Sequence, residues 1–598
     1  MCGIVACRTV LPAVDHLLPA LRRLEYRGYD SAGIAVRTHR GNTHRVRSVG
    51  RIDVLEKRLA ACPETALSEV GVGHTRWATH GAVTESNAHP HADCTGRISL
   101  VHNGILTNVD LLRTELEAAG HRFASEVDSE ILAHLVEDRL SESGDLHAAV
   151  LAAVCKVRGS WAIAVLDGAT GRLVVGANRS PLVVARSAHG DFAASDVGAI
   201  AEWIDELRVL RDGDVVELGT EHTWSGPEGR RVPPEVVACA WRTSTVELGA
   251  HPDHMAKEIA EQPEVAARLL DELAPGVADG RLWAGLGLPL LQRVHVLGCG
   301  TSLNAGRVIA GVLRMGGVPV VTSVASESTA RVSESGTLTI AMSQSGETAD
   351  VLRAVELAAS DPAFTLLSLT NNPHSTLARV ADATLLCAAG PEIGVAATKT
   401  FTTQVLAGTM LALSGLVASG RLGRVAALAL VAELRGVPER LAAASATANQ
   451  LVPDLVAEVV GATGFLYLAR GPGLPYAAEG ALKLAELTYR WAQAYPSGEL
   501  KHGPLALVEQ GTPVVVVDDG DPRVALGIAE VRARGARVIT IGGPGSTVPV
   551  TIPHDEPPPP WGPVETVVPL QVLARTLGLA LGRDVDKPRN LAKSVTVE

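Results

Sequence analysis

The sequence predicts a multidomain protein in which an α+β region precedes two parallel α/β units. Three observations lead there. At 598 residues the chain is too long for one hydrophobic core, and two to four domains are expected. Residues 1–240 mix short strands and helices, whereas strands and helices alternate from about residue 285 onward. Twice in that later region an apolar strand runs into a Gly/Ser turn and then a helix, the pattern of a parallel sheet with right-handed crossovers.

In the first region Val101–Asn103, Ala162–Asp167 and Leu173–Ala177 read as strands, and Leu17–Leu24 and Ser129–Asp138 as helices. The Gly/Pro/charge-rich stretch Ser225–Pro234 suits a domain edge. A polar helix begins near His254 and leads to the next unit. There Arg293–Leu297, Thr337–Met342 and Phe364–Leu369 are strands. Val425–Gln450 is helical. A second unit has strands at Phe465–Ala469, Val514–Val517 and Val538–Ile541, a loop at Pro557–Pro560 and a helix at Val564–Leu579. Ser345-Gly-Glu347 is echoed by Ser497-Gly-Glu499, a weak sign of an old duplication. The resulting partition is 1–240, a linker helix region 241–284, 285–425, 453–588 and a tail 589–598.

Aromatic residues are 3% of the chain, so the cores should be aliphatic. The net charge of -12 argues against nucleic acid as a partner, and anionic ligands would have to be held by local donors. No run of 18 uninterrupted apolar residues and no signal-like N-terminus occurs, so neither membrane nor secretion is expected. Eight cysteines without paired spacing fit reduced thiols in a cytoplasm.

Met1-Cys2 is a common start and means little alone. If Met1 is removed, however, Cys2 carries both a thiol and an α-amine, and an amine of pKa about 7.7–8.0 can serve as base for its own thiol. Arg76 offers a fork for a carboxylate. Asn103 and Gly104 end a strand with an amide and a free-turning backbone N–H, a plausible oxyanion hole. Asp128 could hold an ammonium. Cys7 should face away from Cys2 and lie in the core. His80, His89, His91 and Cys94 match no common zinc spacing, and no metal site is expected. No cofactor is implied.

In the later units Ser343-Gln-Ser-Gly-Glu-Thr348, between strand and helix, would present hydroxyls and helix-terminal amides to a phosphate. Gly346 permits close backbone approach. Thr301 and Ser302 follow the first strand at the same sheet edge, where α/β ligands bind. Glu479, Lys483 and Glu486 fall on one helix face among small and apolar residues; such a row is commonly a solvated ion-pair stripe, but here it suggests a partly buried site.

MCGIV (1–5), RRLEYRGYDSAG (22–33), HTRWATHG (74–81), NAHPH (87–91), VHNG (101–104), SEVDSE (125–130), GCGTS (298–302), SQSGETAD (343–350), EGALKLAELTY (479–489), GELKHGP (498–504) and the tail DKPRNLAKSVTVE (586–598) resemble glutamine:fructose-6-phosphate amidotransferase, the glucosamine-6-phosphate synthase family, along essentially the whole chain. That resemblance implies an N-terminal-nucleophile glutaminase αββα sandwich, of the class II glutamine amidotransferases, followed by two SIS-type (sugar isomerase), flavodoxin-like α/β domains. It implies Cys2 as nucleophile, Asn103 and Gly104 as oxyanion hole, Arg76 and Asp128 on the glutamine carboxylate and ammonium, Trp77 as an ammonia gate, and Thr79 and His80 lining the pocket. For the sugar phosphate it implies Thr301, Ser302, Ser343, Gln344, Ser345, Thr348, Val395 and Ala592. Glu486, beside Lys483, would move the proton between C1 and C2, His502 would open the ring, and Lys593 would form a Schiff base with the open ketose. The implied activity is that of EC 2.6.1.16: glutamine and fructose 6-phosphate give glucosamine 6-phosphate, ammonia passing internally, as the first step toward UDP-N-acetylglucosamine. A homodimer is implied. Ala6, Asp253, Ala397, Trp491 and Pro496 depart from the family pattern, and a paralogue acting on another keto-sugar phosphate is the alternative.

Overall fold

In the computed structural model all residues are described except 1, 66, 79–80, 240, 242–247, 329–335, 360–363, 553–558 and 596–598. The chain forms two compact units: Met1–Glu247 with Ala592–Glu598, and Leu248–Leu591.

In the first unit, alternation along the strand Gly3–Thr9 decides the layering. Ile4 and Ala6 point to one face and Val5 and Cys7 to the other, and all four are fully buried. A strand buried on both faces must be central, and it pairs antiparallel with Val70–Arg76 and Gly190–Ala194 inside an eight-stranded sheet. Ile4 and Ala6 join Val72 of the same sheet and Val101, Ala162 and Val175 of a second, seven-stranded sheet built around Ile98–Leu106, Gly159–Asp167 and Leu173–Asn178. Val5 and Cys7 instead pack on Leu17, Leu21 and Leu24 of the helix Ala13–Leu24. The outer face of the second sheet is covered by helices Ser129–Ser143 and Leu146–Val154 through Leu132, Val136, Ala149 and Val150. The order is helix, sheet, sheet, helix. Cys7 lies in the core as expected, and its thiol reaches Ala13 O at 3.8 Å.

In the second unit, two five-stranded parallel sheets share one topology. The first runs Val320–Val324, Arg293–Gly298, Thr337–Ser343, Thr365–Thr370, Ala383–Leu386; the second runs Trp491–Pro496, Gly464–Ala469, Pro513–Asp518, Arg537–Gly542, Val548–Pro549. Each therefore has strand order 2-1-3-4-5, the flavodoxin-like arrangement. This repetition is a stronger sign of duplication than the Ser-Gly-Glu echo. Ser345 follows the third strand of its sheet, whereas Ser497 follows the second strand of the other, so the two tripeptides are not equivalent positions.

Both sheets share a core with the helix Lys399–Ala418, in which every residue from Lys399 to Leu416 is buried. By length and composition this helix could cross a membrane, but the protein itself covers it. Some of its polar groups are bonded within the fold: Thr402 Oγ1 donates to Gln262, and Gln262 donates to Gln571, while the Thr400 and Thr409 hydroxyls are buried without a hydrogen-bond partner among the described residues. Gly436-Val437-Pro438 divides the expected helix Val425–Gln450 into Arg424–Arg435 and Val437–Val459. The core is aliphatic, with Trp283, Trp561, Phe401, Tyr467 and Tyr476 as its large aromatic members.

Asp253, one of the departures from the family pattern, has a structural reason. It caps the helix His254–Leu273 by accepting from Ala256 N at 2.7 Å and grips Arg575 with both carboxylate oxygens. Asp586 accepts from His254 N and Met255 N, both at 2.9 Å, completing the same helix end. Asp253→Ala is expected to lower stability by about 1–3 kcal/mol, through the lost cap and the stranded Arg575; urea unfolding with an unchanged midpoint would refute that account.

Buried histidines give the first unit an acid liability. His74 and His89 stack at 3.9 Å between ring centroids, and His91 meets His89 edge-on at 4.5 Å. Burial depresses all three, His74 and His91 to about 3 and His89 well below its ordinary value. The folded state thus takes up these protons later than the unfolded chain does. Their contribution is complete above pH about 6.5 and falls away as pH drops toward 3, with a slope of up to about 4 kcal/mol per pH unit if all three act. Urea midpoints should fall between pH about 7 and 5; a flat or rising profile contradicts the neutral-histidine core.

Candidate active site

Cys2 lies one residue before the buried strand Gly3–Thr9, so the strand's pairing fixes its position. Trp77 N donates to Cys2 Sγ at 3.3 Å, and Sγ lies 3.5 Å from Trp77 O. Asn103 Nδ2 donates to Cys2 O at 2.9 Å. The same amide is oriented from its other end, because His74 Nε2 donates to Asn103 Oδ1 and to His102 O, both at 3.0 Å. His74 thus positions Asn103, a role the sequence reading did not assign although His74 opens one of its motifs. Burial raises the Cys2 thiol; the amino terminus, the Trp77 N–H and Arg76 oppose that rise.

Gly104 has φ +138° in the middle of a strand pair, and a Cβ there would stand 2.0 Å from Ser160 O. Only glycine fits, which frees the backbone for the role expected of it. Arg76 donates to Gly81 O and Ala82 O at 3.4 and 3.3 Å, and its guanidinium feels Cys2, Asp30 and Asp128. Asp128 precedes the helix Ser129–Ser143 and accepts from Leu106 N at 3.0 Å. Trp77 packs edge-on against Tyr29. Asp30 accepts from Ala78 N at 2.8 Å and secures the segment after Trp77. Cys2, Arg76, Trp77, Asn103, Gly104 and Asp128 are therefore brought together; Thr79 and His80 fall outside the described residues. This cluster offers a thiol nucleophile, two oxyanion donors, a cation and an anion, enough to hold an α-amino acid amide and attack it.

The second unit has its own polar centre. Glu479 is fully buried and accepts from Thr301 Oγ1 and Asn304 Nδ2, both at 2.9 Å. Lys483, one turn on, lies 2.6 Å from Glu486 Oε2 and 3.5 Å from Glu479 Oε1. Burial works against the Lys483 ammonium, but Glu486, Glu479 and, more weakly, Glu392 outweigh it and hold it above its usual range. Burial pushes Glu479 up, with Lys483, Asn304 and Thr301 opposing. Glu486 keeps 21% of its side chain exposed, so this row is a half-sunken charge relay and not a solvated stripe. Asn304 was missed in the sequence; nothing in its spacing marks it.

The Ser343–Thr348 turn is internally braced. Gly346 N donates to Ser343 Oγ at 2.9 Å, and Ser343 and Thr348 hydroxyls lie 2.8 Å apart. Gly346 has φ +66°, and a Cβ would stand 2.0 Å from Ser375 Oγ. Gln344 O accepts from Asn371 N at 3.1 Å, Ser345 Oγ from Glu347 N at 3.1 Å. Thr348 stands at the start of the helix Ala349–Ala358, whose free amides and dipole favour an anion. Ser302 accepts from Gln404 Nε2 at 3.1 Å. Val395 N donates to Asp586 O at 2.9 Å. His502 is exposed at the end of the 3-10 turn Ser497–His502. Ala592 and Lys593, half-buried, group with the first unit. A cleft of about 500 Å³ lined by Arg307, Arg314, Pro472 and Trp561 contains none of the residues expected to bind the sugar.

Comparison with known proteins agrees with this division of chemistry. The family model "SIS domain" matches residues 292–414 and 464–548, and "Glutamine amidotransferase domain" matches 74–202, a span holding Arg76, Asn103, Gly104 and Asp128. The glutamine–fructose-6-phosphate aminotransferase (isomerizing) of Thermus thermophilus is 43% identical over 100% of both chains, and that of Pseudomonas syringae is 40% identical, again over 100% of both. The solved C-terminal domain of glucosamine-fructose-6-phosphate aminotransferase from Francisella tularensis superposes with TM-score 0.53 at 31% identity, covering 57% of this chain and 99% of that one. Identity of this degree across the full length, with both domain types in order, shows that the chain belongs to the glutamine–fructose-6-phosphate aminotransferase (isomerizing) family.

Proposed function

We propose that this protein is an enzyme that aminates and isomerises fructose 6-phosphate to glucosamine 6-phosphate with nitrogen from glutamine. The observation that carries the reading is the Cys2 cluster: a thiol at the lip of an immobile strand, with an oriented amide, a glycine-only backbone position, a guanidinium and a carboxylate around it. Two SIS domains that match in order behind it supply a sugar-phosphate acceptor.

In this scheme the α-amine bared by loss of Met1 takes the Cys2 thiol proton, and the thiolate attacks the glutamine side-chain amide. Asn103 Nδ2 and Gly104 N hold the oxyanion while Arg76 and Asp128 hold the amino-acid end. Ammonia leaves; water then releases glutamate. The ammonia passes internally by way of Trp77. At the sugar site the Ser343–Thr348 turn, Thr301, Ser302, Val395 N and Ala592 hold the phosphate and hydroxyls, His502 assists ring opening, and Lys593 forms an imine with the open ketose. Glu486, whose Oε2 accepts from Lys483 Nζ at 2.6 Å, shuttles the proton between C1 and C2. The partition at 1–240, 241–284, 285–425, 453–588 and 589–598, a homodimer and a cytoplasmic location belong to the same proposal, the last supported by eight free cysteines. Glucosamine 6-phosphate so made would start aminosugar nucleotide synthesis.

Glucosamine 6-phosphate must appear when the purified protein, its N-terminal Cys2 verified by mass spectrometry, meets glutamine and fructose 6-phosphate. If another ketose phosphate is aminated in its place, the acceptor assignment is wrong. Cys2→Ala should lower glutamine turnover by about 10³-fold or more. Lys593→Arg should leave glutamine hydrolysis within about twofold yet abolish sugar amination, since a guanidinium cannot form the imine. Product from Lys593→Arg would remove the tail from the mechanism. Arg76→Lys is expected to raise the KM for glutamine about 10–100-fold with little change in kcat, because the bidentate grip is lost; an unchanged KM would place the carboxylate elsewhere.

A further inference from the structure

Away from Cys2, on the outer side of the second sheet, four ligand-type atoms converge that neither catalytic scheme uses. Cys94 follows the short strand His91–Ala92, His121 lies in the loop after the helix Val109–Ala118, and His134 and Glu137 lie at i and i+3 on the helix Ser129–Ser143. Cys94 Sγ is 3.6 Å from both His121 Nδ1 and His134 Nδ1. The two Nδ1 atoms are 3.2 Å apart, and Glu137 Oε2 is 3.1 Å from one and 3.2 Å from the other. All four atoms lie within 4.8 Å of one another.

The ring orientations suit a metal ion. His121 Nε2 lies 2.8 Å from Asp138 Oδ1, so this ring presents its N–H outward to a carboxylate and its Nδ1 lone pair inward; His134 Nε2 lies 3.7 Å from Glu130 Oε1, beyond hydrogen-bond reach. Both Nδ1 atoms face a sulfur and a carboxylate oxygen. A divalent cation among these four atoms would be balanced by the thiolate and the carboxylate. A zinc ion with N and O ligands at about 2.0–2.1 Å and S at about 2.3 Å has tetrahedral edges of about 3.3–3.6 Å. The pairwise spacings quoted match those edges. A carboxylate on the outer ring nitrogen, as Asp138 is on His121, is the usual support of metal-bound histidine, and Arg122 N donates to Cys94 Sγ at 3.4 Å, as an amide does to a thiolate.

We propose that Cys94 Sγ, His121 Nδ1, His134 Nδ1 and Glu137 Oε2 form a four-coordinate zinc site. With all four positions filled by protein, the ion is structural. It ties the Cys94 turn and the His121 loop to the helix whose first residues follow Asp128 and whose Ser129 hydroxyl meets His102 Nδ1 at 2.9 Å. The spacing of His80, His89, His91 and Cys94, from which no metal was expected, did not include His121, His134 or Glu137.

The full-length Cys2→Ala protein, which lacks the competing reactive thiol, is the test material. After zinc reconstitution and removal of loose ion, it should hold about one zinc per chain by mass spectrometry. Cobalt(II) substituted for zinc should give the intense visible bands of a tetrahedral ion and a thiolate-to-metal charge-transfer band. Adding Cys94→Ser should erase the charge-transfer band and weaken zinc binding at least about tenfold; Glu137→Gln should weaken it while keeping that band. Chelation should lower the thermal midpoint of the parent and leave that of the Cys94→Ser protein unmoved. Less than about a tenth of an equivalent of zinc in the parent, or unchanged affinity in both variants, overturns the proposal.

Discussion

The position of Cys2 depends on a strand that cannot move. Gly3–Thr9 is paired on both edges and buried on both faces, so the residue just before it inherits crystalline-grade placement without needing a rigid environment of its own. Cys2 stays at the sheet's rim, partly open, while its carbonyl and sulfur are each held by one bond from a neighbouring strand end. A nucleophile must be both fixed and reachable. Placing it one residue outside a central strand meets both demands, and the surrounding donors come from two strands: Arg76 and Trp77 from the end of the neighbouring Val70–Arg76, and Asn103 and Gly104 from within Ile98–Leu106 of the second sheet, which runs on past the end expected at Asn103.

The second unit solves the opposite problem, keeping charge inside a core. Glu479 and Lys483 are each about 1% exposed, a burial that would ordinarily neutralise them. The helix Leu474–Thr488 distributes the burden along one face. Lys483 sits between two carboxylates, and the deeper of these is satisfied by Thr301 and Asn304. Glu486, at the shallower end, keeps 21% of its side chain exposed. A row of this kind ties the start of the helix Gly300–Met315 to the helix Leu474–Thr488, so the two halves of the duplicated fold share one charged contact.

Much of this was legible in the sequence because it is local. Strand–turn–helix punctuation predicted Arg293–Gly298 and Thr337–Ser343 within a residue or two, and the Cys2 cluster was readable because its members sit in short dense motifs. Edge strands were missed: Val320–Val324 and Trp491–Pro496 are half exposed and carry no apolar run. The helix Lys399–Ala418 was missed for a different reason, since threonines interrupt its apolar pattern and only tertiary partners show that it is core. The Ser-Gly-Glu echo misled because three residues specify a turn and not a place in a topology. His74, Asn304 and the ring Cys94, His121, His134 and Glu137 were unreadable, because His74 meets Asn103 across 29 residues, Asn304 meets Glu479 across 175, and Cys94 meets His121 and His134 across 27 and 40.

The departures from the family pattern follow the same physics. Asp253 answers two separate needs, the free amides of a 20-residue helix and the guanidinium of Arg575, and so one substitution is coupled to a residue 322 positions away. Ala6 faces the space between two sheets, and it is buried completely. Trp491, by contrast, stands 88% exposed on an edge strand, where no packing constrains it. Divergence is therefore cheap where a strand edge meets solvent and is compensated where a helix end is buried, and neither kind touches the groups placed around Cys2 or along the Glu479–Glu486 row. The chain can thus differ from a relative at more than half of all positions while Ala6, Asp253 and Trp491 stay clear of both clusters.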